Sequence, residues 1–234
     1  MKKTIIIKDR EHLQLEINKE VNLNGNNCDL NHFDVSAVTN MNSVFYSSQF
    51  NGDISNWNVS NVKDIIGMFY KSQFNGDISK WNVSNVTNMR GMFYDSPFNG
   101  DISNLDVSNV KYMLCMFYGS KFNGDISKWD VSNVTDMLCM FSGSKFNGDI
   151  SKWDVSNVTD MHLMFYNSQF NKNLDDWKPY KLEDKDDMFY DCFAPKPYWY
   201  TAEDTKKAIE SSELKEKLEV NLVEKFEMTK KVKL

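Results

Sequence analysis

A pattern of apolar and polar positions recurs every 24 residues along most of the chain. The stretch Phe-Asn-Gly-Asp-Ile-Ser begins at Phe50 and returns at Phe74, Phe98, Phe122 and Phe146, and in eroded form at Phe170. A fixed period of about 20 to 50 residues is typical of solenoids, in which each coil buries its apolar face against its neighbours. The pattern therefore predicts a solenoid of about seven coils over residues 26–193.

Within one repeat the apolar residues are Phe50, Ile54, Trp57, Val59, Val62, Ile65, Met68 and Phe69. The Ile54–Val59 piece is rich in β-formers and follows a Gly-Asp turn, which predicts a strand. The spacing of apolar residues in the Val62–Tyr70 piece predicts one short helical or 3₁₀ turn. We therefore expect an α/β repeat with a parallel β-sheet on one face and short helical or 3₁₀ segments on another. The glycine column is expected to supply a positive φ at the corner, at Gly52, Gly76, Gly100, Gly124 and Gly148.

Residues 1–25 are predicted to form an N-terminal cap. Residues 4–7 are β-branched or apolar and read as a short strand. Asp9 can cap a helix whose apolar face carries Leu13, Ile17 and Val21 at a spacing of four. Such a helix would cover the otherwise exposed core of the first coil.

Residues 194–234 are predicted to form a C-terminal cap. Two prolines break the repeat after residue 193, and residues 198–200 (Tyr-Trp-Tyr) are expected to fold back on the last coil. Thr201 starts a capping-box-like sequence, and Ile209, Leu214 and Leu218 follow it. The alternation between residues 220 and 228 is more typical of a strand.

The core Val-Ser-Asn-Val-Thr-x-Met-x-x-Met-Phe resembles the BspA-like family of bacterial leucine-rich-repeat proteins. Well-preserved copies occupy residues 83–93 and 131–141, and the resemblance covers residues 26–193. It implies a right-handed leucine-rich-repeat-like solenoid, and it implies a protein found on bacterial cell surfaces and associated with adhesion.

Charge and composition narrow the partner classes. The whole chain has a formal net charge of −6, and residues 26–193 carry 21 acidic and 13 basic residues, so the acidity lies on the repeats. A basic surface that could follow a phosphate backbone is missing, which argues against nucleic acid. No run of about 18 apolar residues is present, so we expect no insertion into a membrane.

The N-terminal sequence does not look like a signal peptide, because its apolar run is only three residues long. We therefore expect a cytoplasmic protein as the sequence is written, or a cell-surface protein if a leader precedes it. The four cysteines are too scattered for a disulfide framework. Cys115 and Cys139 occupy equivalent positions in neighbouring coils, within disulfide reach of each other, and are expected to be buried thiols in a reducing compartment.

Two polar columns have structural explanations. One carboxylate per repeat (Asp53, Asp77, Asp101, Asp125 and Asp149) could bind calcium, but one carboxylate beside lone Ser and Asn residues is a thin coordination shell. We expect these aspartates to accept N–H groups of their own turns instead. An asparagine column (Asn61, Asn85, Asn109, Asn133 and Asn157) is expected to be buried and to satisfy corner backbone groups.

Two further columns are the candidates for contact with a partner. A tyrosine follows the inward phenylalanine in most repeats, with Ser142 as the interruption, and these rings are expected to lie partly exposed along one edge. A second column varies in chemistry, as expected where an interaction protein encodes specificity. The predicted contact residues are Tyr70, Tyr94, Tyr118, Tyr166, Ile66, Arg90, Leu114, Leu138 and His162. The alternative is that the tyrosines pack on one another and line the edge of the core.

Nothing in the sequence has the composition of a catalytic site. The three histidines are separated in register, and there is no nucleophile–base–orienter set, phosphate loop or metal-ligand spacing. We expect no enzyme activity and no cofactor. The function predicted is a non-catalytic scaffold for protein–protein interaction. The alternatives are a surface adhesin or glycan-binding ectodomain, in which a tryptophan ladder could contact sugars, and a self-assembling structural protein.

Overall fold

The computed structural model describes residues 2–200. Its regular elements are strand β1 (Ile5–Ile6), helix α1 (Arg10–Asn24) and strand β2 (Phe33–Asp34). The two strands pair in parallel, with Ile5 opposite Phe33 and Ile6 opposite Asp34. The repeats that follow are held by single bridges and turns instead of long strands.

Helix α1 begins where the sequence predicts. Asp9 is the N-cap, and its Oδ1 accepts the backbone N–H of His12 at 2.8 Å, which satisfies one of the free donors of the first turn. Gly25 ends the helix with a φ of 81°, and its N–H donates to the carbonyl of Val21 at 2.8 Å. Leu13 and Ile17 are buried, so the predicted apolar face is the face that packs.

Helix α1 lies against the first repeat (residues 26–49). Leu13 and Ile17 belong to the same buried cluster as the apolar residues of the repeats. The Arg10 guanidinium donates to the carbonyl of Asn42 at 3.3 Å, and the Gln14 amide donates to the carbonyl of Ser43 at 3.4 Å. The helix therefore covers apolar surface and also supplies donors to backbone carbonyls of the first repeat.

Successive repeats are joined by parallel bridges between residues 24 apart. The continuous series runs from Asn40 through residues 64, 88, 112, 136 and 160 to Asp184. Beside each bridge, alternate backbone N–H groups of one repeat donate to carbonyls of the next. In the second repeat the donors are residues 65, 67, 69 and 71, and the acceptors are residues 88, 90, 92 and 94, at 2.7–3.2 Å. Every repeat is thus in register with its neighbours.

The same segment carries two left-handed residues in most repeats. The first column has φ values of 52–58° and comprises Ser43, Gly67, Gly91, Cys115, Cys139, Leu163 and Asp187. The second has φ values of 49–64° and comprises Ser47, Lys71, Asp95, Gly119, Gly143, Asn167 and Asp191. A left-handed residue costs about 1–2 kcal/mol when it is not glycine, so the ladder of bonds between repeats must compensate for it.

The structure differs from the predicted elements inside the repeat. The N–H of Trp57 donates to the carbonyl of Ile54, and the N–H of Val62 donates to the carbonyl of Val59, at 3.1 and 2.9 Å. These tight turns replace the strand predicted at residues 54–59. The helical or 3₁₀ turn predicted at residues 62–70 is not formed either, because a left-handed residue such as Gly67 interrupts any helical run.

The core between the turns is a stack of aromatic rings. Phe69 lies 5.7 Å from Phe93 in the next repeat, and their rings are within 5° of parallel. Beside this column each tryptophan donates its indole N–H to a carbonyl of the preceding repeat, as Trp153 does to Ile126 at 3.1 Å. Leu105 stands at one tryptophan position and has no indole to donate. The inward residues predicted from the repeat are the ones that are buried.

The prediction of a positive φ at the Gly52 column is wrong, because the glycines with positive φ are Gly25, Gly67, Gly91, Gly119 and Gly143. Space explains the Gly52 column instead. A Cβ on Gly52 would lie 2.0 Å from the carbonyl oxygen of Cys28, and a Cβ on Gly124 would lie 2.8 Å from the ring of Phe122. The phenylalanine two residues earlier folds its ring over the glycine and leaves no room for a side chain.

The chain folds back after the seventh repeat (residues 170–193), as predicted, although Tyr198 stays 74% exposed and only Trp199 and Tyr200 pack back. Trp199 stacks on Trp177 at 6.4 Å, and its indole N–H donates to the carbonyl of Leu174 at 3.0 Å. Tyr200 meets Phe189 edge to face at 5.2 Å. The helix predicted from Thr201 and the strand predicted between residues 220 and 228 lie outside the described residues.

Candidate functional site

The tyrosine column forms a continuous ring stack through the first four repeats. Tyr46 and Tyr70 lie 4.9 Å apart, Tyr70 and Tyr94 4.3 Å, and Tyr94 and Tyr118 4.5 Å, with rings within 15° of parallel. Tyr70 and Tyr94 are buried, and Tyr118 is half-buried. The expectation that these rings lie partly exposed is therefore wrong for Tyr70 and Tyr94, because each ring covers the face of the next.

The variable column packs with the tyrosines. A second buried cluster, separate from the main core, consists of Tyr70, Tyr94, Leu114, Cys115, Cys139 and Leu163, with Ile66, Tyr118, Leu138 and Tyr166 packed against it half-buried. Leu114 and His162 of the variable column are predicted contact residues, but both are buried. The prediction that these two residues contact a partner is therefore wrong. The structure brings the predicted residues together, mostly as a second core.

Five of the predicted contact residues keep part of their surface. Ile66, Arg90 and Leu138 are half-buried in the variable column, and Tyr118 and Tyr166 are half-buried in the tyrosine column. None of them is a fully exposed anchor, so this side of the molecule offers a partner only narrow strips between packed side chains.

The aspartate column closes turns, as predicted. The Oδ1 of Asp149 accepts the N–H of Ser151 at 2.9 Å, and the same bond recurs at each of the other four aspartates. These backbone bonds lower the pKa of Asp149, because they stabilise its ionised form. Within residues 2–200, no group of three or more His, Cys, Asp or Glu side chains is placed to hold a metal ion.

The asparagine column is exposed instead of buried, except for the half-buried Asn157, yet it makes the predicted bonds. The Nδ2 of Asn133 donates to the carbonyl of Ser108 in the preceding repeat at 2.8 Å. The column runs along the outside of a corner, where the side chain reaches back across the gap between repeats. It is scaffold, although water competes for its bonds.

An acidic position near the end of the stack is titratable close to neutral pH. Burial, together with the charges of Asp136 and Asp184, raises the pKa of Asp160 to about 6, although the bond from the His162 N–H at 2.9 Å acts to lower it. The His162 ring is buried and its Nδ1 lies 3.6 Å from Asp184.

Cys115 and Cys139 are both buried as free thiols in neighbouring repeats. Burial raises the pKa of the Cys115 thiol, and Cys139 beside it raises it further. A thiol with a raised pKa is a poor nucleophile, which applies to Cys115. Cys115 and Cys139 both fill space in the second cluster.

Exposed aromatic side chains gather at the end of the seventh repeat. Between residues 24 and 179, Tyr112 is the one exposed large hydrophobic side chain, at 40%. Tyr180, Phe193 and Tyr198 are 78%, 81% and 74% exposed within the next twenty positions. We call these three the terminal aromatic residues. Sequence reasoning missed them as contacts.

The sequence does contain a sign that the terminal aromatic residues are exposed. The seventh repeat has Pro179, Tyr180 and Lys181 where the five preceding repeats have Val, Ser and Asn. A tyrosine in a column of serines is too large for a turn that hydrogen-bonds within itself, so it must point outward. The Nζ of Lys181 takes over part of the asparagine's role and donates to Asn157 at 2.7 Å.

Two of the terminal aromatic residues line a cavity of about 320 Å³, which we call the terminal pocket. Its lining is Trp177, Lys178, Pro179, Tyr180, Leu182, Lys185, Tyr198 and Trp199. Tyr198 is fixed at its backbone, because its N–H donates to Oδ1 of Asp175 at 3.1 Å. A second, polar cavity lies along the aspartate column and is lined by Asp149, Ser151, Lys172, Asn173, Asp175 and Asp176.

Within residues 2–200, no helix combines the length and apolarity that a membrane span requires.

A family described as "Mycoplasma protein of unknown function, DUF285" matches residues 16–121 and, in a second and overlapping match, residues 96–199. Together the two matches run from within α1 to the last tryptophan of the stack. No curated protein and no solved structure matches the chain.

Proposed function

The chain belongs to the DUF285 family of Mycoplasma proteins of unknown function, and we propose that it is a non-catalytic scaffold for protein–protein interaction. The repeats hold a rigid frame, and the end of the seventh repeat presents the contact surface. The proposed contact surface therefore differs from the tyrosine and variable columns that the sequence predicts.

The observation that carries the proposal is the uneven exposure of aromatic side chains. The first six repeats bury nearly all of their large hydrophobic residues. Tyr180, Phe193 and Tyr198, in contrast, expose most of their side-chain surface. Large exposed aromatic side chains are costly to leave in water, and they are enriched where proteins bind partners. Tyrosine in particular provides contact area at low conformational cost.

The fold is part of the proposal. Backbone bonds between residues 24 apart, from the first repeat to the seventh, support a leucine-rich-repeat-like solenoid of the BspA-like type. The right-handed winding comes from that resemblance. A solved structure in which the repeats wind the other way would overturn this part.

The same geometry argues against a filament built by end-to-end stacking. Helix α1 covers the first repeat, and Arg10 occupies the carbonyl of Asn42 that an added repeat would use. A further coil cannot continue the stack there without displacing the helix.

The test is capture of a partner from the native cell by the full tagged chain. We expect an identified protein to be retained by the wild type and lost from the triple variant Tyr180→Ser, Phe193→Ser, Tyr198→Ser. Loss of three exposed aromatic anchors should reduce affinity at least about a hundredfold, since each contributes about 1 kcal/mol or more.

Tyr112→Ser is the matched control, because Tyr112 is exposed but lies in the middle of the repeats. This variant should retain the partner. Equal capture by the triple variant and the wild type would overturn the proposal, as would the absence of any protein captured above background.

A further inference from the structure

The terminal pocket has an aromatic floor that the repeats themselves build. Trp177 is the last rung of the tryptophan ladder within the repeats, and Trp199 adds one more rung, stacked at 6.4 Å with rings within 14° of parallel. Both indole N–H groups are already used, on the carbonyls of Ile150 and Leu174, each at 3.0 Å. The floor is therefore rigid. Trp177 is only 1% exposed, so the half-buried ring of Trp199 provides its apolar surface, without a free indole donor.

Two exposed tyrosines form part of the lining. Tyr180 follows Pro179, whose ring fixes the backbone at this point. Tyr198 precedes Trp199, and its backbone N–H is held by Asp175. Both side chains remain mostly exposed although their backbones are fixed. Because the backbone is already ordered, the protein loses little conformational entropy when a ligand binds between these tyrosines.

The lining has an unusual set of polar groups. It contains two lysines and two tyrosine hydroxyls, and it contains no Asp, Glu, Asn, Gln, Ser or Thr. Ammonium groups only donate hydrogen bonds, whereas a tyrosine hydroxyl donates one and also accepts. The two ammonium groups therefore favour a ligand that carries acceptors and negative charge. Lys178 is exposed beside the floor, and the Nζ of Lys185 lies 5.9 Å from the centre of the Tyr200 ring.

We propose that the terminal pocket binds a proline-containing acidic segment of a partner protein. Proline has no backbone N–H, so its chain presents carbonyl acceptors, and its ring packs well on flat aromatic surfaces. An extended proline-rich segment is also preorganised, which lowers its entropic cost of binding. A neighbouring Asp or Glu of the segment pairs with Lys178.

The alternative ligand class is a glycan, and the lining disfavours it. A neutral sugar has no charge to pair with the two lysines, and the two tyrosine hydroxyls are the only side-chain acceptors that the lining supplies for its many hydroxyl donors. The acceptors Asp149 and Asp175 line the separate polar cavity. The volume of about 320 Å³ lies at the lower end of the usual range for ligand pockets, and it suits one or two side chains of a bound segment.

The experiment is to select peptides from a random peptide library on the full chain and to measure the affinity of the enriched peptides by calorimetry. We expect enrichment of sequences that contain proline together with Asp or Glu. Their affinity should fall at least about tenfold in Tyr198→Ser and in Lys178→Glu, and it should weaken at high salt. Tyr112→Ser should bind them like the wild type.

Lys178→Glu also gives a reciprocal test. In this variant the preference should move from acidic to basic proline-containing peptides, which a merely unfolded variant could not show. No enrichment, enriched peptides without proline and acid, or affinity unchanged in Tyr198→Ser would each overturn the inference. So would a glycan-array signal that depends on Tyr180 and Tyr198 in the absence of peptide binding.

This inference rests on the proposed function, but the two can fail separately. If the captured partner still depends on the terminal aromatic residues while proline-containing acidic peptides do not bind, the scaffold function stands and the ligand chemistry is wrong. If neither depends on them, both fail.

Discussion

In the sixth repeat Val155 points into the core and Ser156 closes a turn, whereas the seventh repeat has Pro179 and Tyr180 at the same places. Ser156 donates its N–H to Asp154 at 3.0 Å, and Tyr180 instead lies 78% exposed beside a cavity. The two repeats share their inward phenylalanine, leucine or isoleucine, and tryptophan, so they stack alike. Stacking therefore constrains the identity of the inward residues only. A change in one outward column, from serine to tyrosine, is enough to create an exposed aromatic surface.

The largest effect on stability is expected inside the regular repeats. Gly52→Ala should reduce the free energy of unfolding by about 3 kcal/mol or more, because the new Cβ would lie 2.0 Å from a backbone carbonyl that cannot move aside cheaply. Urea unfolding of the variant and the wild type measures this loss.

Gly143→Ala is the matched control. Its φ is 64°, but no atom lies closer than 3.8 Å to the added Cβ, so only the left-handed strain of about 1 kcal/mol is expected. Equal losses in the two variants would show that the lack of space at Gly52 costs no more than the left-handed strain at Gly143.

The next largest effect is expected in the tryptophan ladder, where Trp153 lies in the interior and Trp199 at the end. Trp153→Leu copies the arrangement already present at Leu105 and removes the bond to Ile126, so we expect a loss of about 2 kcal/mol in unfolding free energy. Trp199→Leu should cost less than half as much, because Trp199 is only half-buried. A larger loss at Trp199 would mean that the end of the stack, and not its middle, carries the stability.

A smaller effect depends on pH. The folded-state pKa of Asp160 is about 6, above its ordinary value of 3.8, so the folded protein holds this proton more tightly than the unfolded chain. Ionisation of Asp160 therefore destabilises the fold, by an amount that is absent below about pH 4, grows up to pH 6 and is constant above it.

Asp160→Asn should raise the free energy of unfolding at pH 7 by about 1 kcal/mol, after allowance for solvent screening of a partly exposed group. The difference from the wild type should shrink between pH 6 and pH 4. Asp149→Asn is the control, because turn bonds lower the pKa of Asp149 and no gain is expected there. A gain at Asp160 that does not change with pH would point to a cause other than charge.

The smallest effect on stability is expected at the surface end. Tyr180→Ser and Tyr198→Ser should each change the unfolding free energy by less than about 0.5 kcal/mol, since both side chains are mostly exposed. A substantial loss in either variant would show that these tyrosines hold the seventh repeat together, and the contrast with the sixth repeat would disappear.

The sequence predicted the inward residues and helix α1 well, because both depend on simple periodicities. Phe69 and Trp153 must face the core if repeats are to stack, and Asp9 with Leu13 and Ile17 meets the ordinary requirements of a capped amphipathic helix. The predicted fold class as a whole stays a prediction.

The local backbone could not be predicted, because it depends on bonds between repeats. In the first left-handed column the conformation falls on Cys115, Cys139 and Leu163 as readily as on Gly67, so residue type does not mark it and the ladder to the neighbouring repeat accounts for it. The second column is partly marked in the sequence, because five of its seven residues are Gly, Asp or Asn.

The candidate site was missed for a related reason. Averaging the repeats draws attention to columns such as Tyr70 and Tyr94, whose regular spacing is what buries them against one another. The exposed aromatic residues are the ones that leave the pattern. Tyr180 was visible as a departure in the seventh repeat, and Phe193 and Tyr198 lie where the pattern ends.

The register of the ladder also bears on how such a chain can change over generations. Each repeat bonds to residues 24 before and after it, so a unit can be copied or lost in the interior without disturbing any other contact. Residues 119–137 and 143–161 are identical in sequence, as tandem duplication would leave them. Unequal recombination between such copies would lengthen or shorten the molecule by whole units, and it would move the pocket at its end outward or inward by one step each time.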